Sequence, residues 1–226
     1  MVREMPEGSM VGGQSMDLER FGKSLEEISH LLSHLHGEIA SLESHYSKAL
    51  LVLRQLKKEA SIDELTGVLR RGAFFERLQK LVGECRHARE GFGIFLIDLD
   101  HFKRINDTHG HLTGDEVLSR VGKLLKKFET PHCISGRFGG EEFIIAKRGT
   151  DAELLMTAEM IRRNAEQLYG KSPVGEWKCT VSIGVATTRS NGTDVGSESD
   201  VPRLLKDADE ALFEAKRKGR NQVKVA

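Results

Sequence analysis

From Leu18 to Ala60 the apolar residues fall at 18, 21, 25, 28, 32, 35, 39, 42, 46, 49, 53, 56 and 60, in steps that alternate three and four without a break. Leu18, Leu25, Leu32, Ile39, Tyr46, Leu53 and Ala60 occupy heptad position a, and Phe21, Ile28, Leu35, Leu42, Ala49 and Leu56 occupy d. A strict 3.5-residue period winds a left-handed coiled coil, and such a coil needs a partner helix. The chain holds no second helical pattern of that length, so the expected partner is another copy, along a rod of about 60 Å at 1.5 Å per residue. Tyr46 and Ala49 are weak seam residues, and Leu31, Leu50 and Val52 spread the stripe onto e and g. The C-terminal half is therefore expected to pack loosely or in more than one register. His30 and His34 stand four apart, a spacing that suits a transition metal, but they lie on outer heptad positions, where a solvated face is the simpler reading.

The remaining bulk properties exclude more than they suggest. Lys plus Arg number 34 and Asp plus Glu number 34 in 226 residues, so no global basic field points to nucleic acid. No apolar run reaches the length of a membrane span. Cys85, Cys133 and Cys179 are odd in number, widely spaced and set beside apolar segments, which predicts buried free thiols rather than a metal or redox pair. The N-terminus lacks the apolar core of a signal peptide, and a cytoplasmic, reducing setting is expected. Residues 1–15, rich in Gly, Met and Ser, read as a disordered leader, residues 16–60 as the dimerising helix, and residues 61–226 as a separate domain.

After Ala60 the period changes. Residues 73–88 and 117–128 carry helical stripes, and Ile94 to Ile97 is an apolar run that stops at Asp98, as a buried strand would. Two strands flank residues 139–142. Thr150 and Glu153 form a capping box that opens a helix reaching Leu168, and Val181 to Ala186 is a strand. A polar loop covers 188–199, Pro202 sits in the first turn of the last helix, and Val223 to Val225 closes as an edge strand. Strands alternating with helices predict an α/β fold, a mixed sheet flanked by helices and preceded by the long coiled-coil helix.

Chemistry gathers at the strand ends. Gly139-Gly140-Glu141-Glu142-Phe143 reads as a tight hairpin turn bearing adjacent carboxylates, its glycines permitting unusual backbone angles and leaving room for a ligand. Hard cations such as Mg²⁺ take oxygen ligands of this kind. Asp98 lies at the carboxyl end of a buried strand, where open α/β sheets bind ligands; Asp100 shares its face if the strand continues and is separated from it if a turn follows. Asn106 and Asp115 together offer the amide and carboxylate that read guanine, although Asp115 is also placed to cap a helix. Lys216 and Arg220 end a helix, where cations complement its dipole or clamp a triphosphate.

These motifs occur in an order that resembles the GGDEF domain, the catalytic module of diguanylate cyclases. The resemblance rests on Asp63-Glu64-Leu65-Thr66-Gly67, Asp98-Leu99-Asp100-His101-Phe102-Lys103, Asn106-Asp107 with Gly110-His111 and Gly114-Asp115, Arg137 to Phe143, Val181 to Ala186, and Ala215-Lys216 with Gly219-Arg220-Asn221. It implies a palm-like fold and the condensation of two GTP into cyclic di-GMP with release of pyrophosphate, by a homodimer. It further implies that Asp98, Glu141 and the Leu99 carbonyl hold Mg²⁺, with Mn²⁺ as the alternative, and that Glu142 supports the metal site. Asn106 and Asp115 would bind guanine. Gly139, Gly140 and the Phe102–Lys103 backbone would lie against the phosphates, and Lys216 and Arg220 would grip their distal end. Thr130-Pro131-His132-Cys133 stands where the family often has Arg-x-x-Asp, so inhibition by product through that site is expected to be absent. Arg70 replaces the usual Asn of the entry motif. A non-catalytic binding module is the competing reading, and the intact Asp98, Glu141 and Glu142 argue against it.

Overall fold

The computed structural model describes residues 12–188 and 201–226, and for residues 12–19, 54 and 56–60 only the backbone course. The leader up to residue 11 and most of the polar 188–199 loop lie outside the described residues. The chain divides into two compact units, residues 1–57 and 58–226. No helix among the described residues is long and apolar enough to cross a membrane.

The first unit is one helix, α1 (Gly12–Ala60). It starts inside the stretch read above as a leader: residues 12–15 are helical, though without apolar residues they give the period no sign. Its seam is unsheltered, with Phe21 66 %, Leu25 53 %, Ile39 53 % and Leu42 68 % exposed.

The second unit is built on a six-stranded sheet in the order β1-β3-β4-β2-β7-β8. In chain order its elements are β1 (Leu69–Arg70), α2 (Arg71–Ala88), β2 (Phe92–Leu99), α3 (Phe102–His109), α4 (His111–Lys126), β3 (Cys133–Arg137), β4 (Glu142–Arg148), α5 (Asp151–Glu166), β5 (Tyr169–Ser172), β6 (Gly175–Lys178), β7 (Val181–Thr187), α6 (Val201–Arg217) and β8 (Val223–Val225). The four inner strands pair antiparallel, and β1 and β8 add parallel at the two edges. The outer hairpin β5–β6 stands apart from this sheet and has no forewarning in the sequence pattern. Its strands are four residues each, too short for alternation to show.

Period-2 alternation assigns each strand's side chains to one of two cores. Phe95, Ile97 and Leu99 join Phe143, Ile145, Val181, Ile183 and Val185 beneath α3, α4 and α5. Phe92, Ile94 and Leu96 join Ile144, Ala146 and Ala186 beneath α2 and α6. Every residue of β2 is buried, which is why it reads as a continuous apolar run. The capping box forms as expected: Thr150 Oγ1 accepts from the Glu153 N–H, and the Glu153 carboxylate accepts from the Thr150 N–H.

Two glycines set how closely helices pack, α6 on the sheet and α4 on the loop that carries Thr66. A Cβ on Gly184 of β7 would overlap the Ala208 carbonyl oxygen and the Leu212 nitrogen of α6, and one on Gly122 of α4 would overlap Thr66. Backbone cannot swing aside as a side chain does. Gly184→Ala should therefore lift α6 and destabilise the fold by roughly 1–3 kcal/mol, the usual cost of overpacking a dense core. Urea denaturation monitored by circular dichroism would measure it, and unchanged stability would contradict the close approach.

Candidate active site

Asp98 is the last even-numbered residue of β2 and so projects to the same face as Phe92, Ile94 and Leu96, the face covered by α6. Glu142 opens β4 directly across from it, and Ile144 and Ala146 place it on that same face. Two carboxylates thus oppose each other across strands, an unfavourable pairing unless a cation intervenes. The cation present is Lys216, in the last turn of α6, whose Nζ lies 2.8 Å from Asp98 Oδ2. Asp98 is only 6 % exposed. Burial pushes its carboxyl above the ordinary range against the pull of Lys216 and Arg220, and nearby Asp100 adds to the rise. Glu141 is raised too, first by burial and then by Asp98. Neither the Glu141 nor the Glu142 side chain has a hydrogen-bond or ion-pair partner among the described residues.

Asp100 does not share this role. Beyond the end of β2 it turns inward, 4 % exposed. It accepts from Thr180 Oγ1 at 2.7 Å, Ser182 Oγ at 2.7 Å and the Asn221 N–H at 3.0 Å. The third bond pins the turn after α6, in which Gly219, Arg220 and Asn221 all have positive φ. Arg220 therefore stands in the turn beyond α6, which ends at Arg217, and not at the end of the helix itself as expected. The Arg220 N–H caps the helix at the Ala215 carbonyl, 3.0 Å away. Arg162 fixes the outside of the turn through Asn221 Oδ1 at 2.8 Å. Sequence reasoning missed this anchor, because nothing local to Asp100 announces partners some eighty to a hundred and twenty residues away.

The glycines of the turn act through space rather than backbone freedom. Neither Gly139 nor Gly140 has a left-handed φ, so the backbone freedom that glycine permits is not used at either position. A Cβ on Gly139 would overlap Glu142 Oε2, whereas Gly140 opens onto empty space. Arg137 holds the turn from beneath: its Nε and guanidinium nitrogen donate to the Gly140 carbonyl at 3.2 and 2.7 Å. The same side chain reaches Asp63 at 3.2 Å. Burial works to raise the Asp63 carboxyl, but hydrogen bonds from Thr66 and the charge of Arg137 hold it below the ordinary value. Arg70 ties the same loop to itself, donating to the Ile62 carbonyl at 2.9 Å.

α3 begins after His101, a left-handed residue at φ 58°. The Phe102 and Lys103 N–H groups stand at a helix N-terminus with no intrahelical acceptor, a geometry suited to phosphate. Asn106 lies one turn on, and its Oδ1 is buried without a hydrogen-bond partner. Asp115 is exposed on the second turn of α4, which starts at His111, so it does not cap that helix. A cavity of about 950 Å³ lies at the other end of β7, beside Thr187 and Thr188, away from these groups.

The donor set fits a hard divalent cation. Among the described residues no three His, Cys, Asp or Glu side chains converge into a closed cage. Mg²⁺ is commonly held by one or two carboxylates plus substrate phosphates instead of an all-protein cage. Asp98 and Glu141 with the Leu99 carbonyl could supply such a partial set. The helix histidines make no comparable cluster: His34 Nδ1 lies 3.9 Å from Glu38, with both side chains exposed.

Residues 60–222 match the family model described as diguanylate cyclase, GGDEF domain. The chain is 38 % identical over 176 residues to the probable diguanylate cyclase DgcT of Escherichia coli strain K12, covering 76 % of this chain and 37 % of that protein. It is 33 % identical over 193 residues to diguanylate cyclase DosC of the same organism, covering 83 % and 41 %. It thus spans about two fifths of the length of these curated relatives. Among solved structures, the coiled coil and GGDEF domain of DgcB from Caulobacter crescentus in complex with c-di-GMP matches with a TM-score of 0.71 at 28 % identity, covering 85 % of this chain and 99 % of that one. Diguanylate cyclase SiaD of Pseudomonas aeruginosa in complex with its activator SiaC matches with a TM-score of 0.66 at 29 % identity, covering 95 % and 80 %.

Because burial raises both Asp98 and Glu141, with Asp100 adding to the first and Asp98 to the second, folding takes up protons between their ordinary and folded pKa values. Stability contributed by this site therefore falls as pH rises through that window. Glu141→Gln should melt at a higher temperature than the wild type at neutral pH, with the gap closing as pH falls toward the ordinary glutamate value of 4.5. Thermal unfolding across pH would check it; a constant gap would contradict the assignment.

Proposed function

The chain belongs to the diguanylate cyclase, GGDEF domain family, and from that premise we propose that it condenses two GTP molecules into cyclic di-GMP as a homodimer. The observation that carries this reading is the meeting of buried Asp98 with Lys216 beside the unpaired Glu141 and Glu142. Residues suited to phosphate and to guanine lie nearby along the chain.

In each of two steps the 3′-oxygen of one GTP attacks the α-phosphorus of the other. A new O–P bond forms, the bond to the β-phosphate bridge breaks, and pyrophosphate leaves. Asp98, Glu141 and the Leu99 carbonyl would hold Mg²⁺, or Mn²⁺ in its place, which when bound neutralises charge on the triphosphate and on the leaving group. Glu142 supports that site from across β2 and, with Glu141, is the nearest acceptor for the hydroxyl proton. The Phe102 and Lys103 N–H groups take phosphate oxygens at the start of α3, and Gly139 and Gly140 keep the turn low enough for the triphosphate to lie on it. Lys216 and Arg220 neutralise its distal end. Asn106 and Asp115 hold the guanine base.

Since one domain carries one GTP, two domains must face each other. The exposed seam of α1 supports pairing of two copies, which raises the effective concentration of the second half-site. Thr130 and Cys133 are bonded to each other through their backbones at 3.0 and 3.1 Å, and Cys133 is buried, so this stretch offers neither a cation nor a carboxylate to a bound product.

Incubation with GTP and Mg²⁺ should yield pyrophosphate and cyclic di-GMP by chromatography. Absence of product at every protein concentration would refute the enzyme reading. Glu141→Gln should abolish turnover while sedimentation still reports the dimer; near-normal turnover would remove Glu141 from the metal site. Added cyclic di-GMP should inhibit only weakly, and strong non-competitive inhibition would reveal a product site elsewhere.

A further inference from the structure

Asn106 of α3 packs against Gly114 of α4. Gly114 is buried in the second turn of α4. Its φ is not among the positive values, in contrast to Gly110 at +85°, so the backbone does not require glycine there. Glycine is also a poor helix former. What the position lacks is room: a Cβ would overlap Asn106 Oδ1, stand 2.9 Å from Asn106 Cγ and 3.2 Å from Phe102 Cζ.

Asn106 cannot easily withdraw. Its main-chain carbonyl accepts from the Gly110 N–H at 2.8 Å, which fixes the end of α3 against the start of α4. Phe102, 7 % exposed, closes the other side. The Asn106 Oδ1 is buried against Gly114 with no donor among the described residues, so the oxygen end of the amide is held there by packing alone. Neighbouring polar groups are satisfied, as with Thr113 Oγ1 donating to the His109 carbonyl at 2.9 Å.

We propose that Gly114 is a specificity-determining residue: its missing side chain is the space that takes Asn106 Oδ1, which leaves the amide nitrogen to donate to an acceptor on a purine edge. Guanine presents O6 and N3 as acceptors, and Asp115, next to Gly114, is the acceptor for its N1–H and N2 amine. This rests on the reading of Asn106 and Asp115 as the guanine site. Gly114 touches no base itself; it acts by positioning Asn106.

A double-mutant cycle tests it, with GDP as the probe in calorimetric titrations of the full chain. Gly114→Ala and Asn106→Ala should each weaken GDP binding by about tenfold, the scale of one lost hydrogen bond. The double variant should bind no more weakly than either single one, because both remove the same contact. Equal affinity of Gly114→Ala and wild type, or losses that multiply in the double variant, would overturn the proposal while leaving the guanine site standing. Full GDP affinity in Asn106→Ala would instead remove the guanine reading and this proposal with it. Should Gly114→Ala lower the melting temperature, the double variant, which has no amide to collide with, should recover it. Failure to recover would overturn the proposal.

Discussion

The burial of β2 on both faces is the constraint from which the site follows. A strand without a solvent face delivers its terminal Asp98 into surroundings that hydrate a carboxylate poorly. Register then brings Glu142 opposite it, and the turn adds Glu141. Acids gathered in this way cost stability unless a cation joins them, and the fold supplies one ammonium while leaving two acids unpaired. Sites that must bind a charged substrate are commonly arranged so, with the repulsion relieved when the ligand arrives.

The position of that ammonium depends on packing far from the charges. Gly184 lets α6 lie against β7 with backbone nearly touching backbone, and Asp100 ties down the turn that follows the helix. Together they set both ends of the segment carrying Lys216 and Arg220. On the other side of the carboxylates, Arg137 joins the Asp63 loop to the Gly140 carbonyl, so the acidic turn is held from outside as well as by its own Phe138 and Gly139 N–H bonds to the Glu142 carbonyl.

Much of this was legible in the sequence, and for identifiable reasons. The heptads, the buried run ending at Asp98 and the Thr150–Glu153 box are local patterns, and local patterns survive in one dimension. The glycines at 139 and 140 were legible as a turn that permits unusual angles and leaves room, but which of the two properties is used was not, since composition does not separate lack of space from freedom of angle. The capping role open to Asp115 disappeared because α4 begins four residues earlier, at His111. Asp100, the β5–β6 hairpin and the seat of Asn106 were not legible. Each depends on partners brought together only by the fold: Thr180, Ser182 and Asn221 for the first, Gly114 for the last.

The three cysteines have a practical corollary. Cys85, Cys133 and Cys179 are 0 %, 3 % and 3 % exposed, and burial pushes their thiols up to about 11, about 11 and about 12. Thiol reagents act on the thiolate, so all three are nearly inert at neutral pH in the folded protein. A single cysteine introduced at an exposed site on α1, such as Ser41, would then carry a spin or fluorescent label without removal of any native cysteine. Distances between two such labels would report directly on how two copies of the helix align.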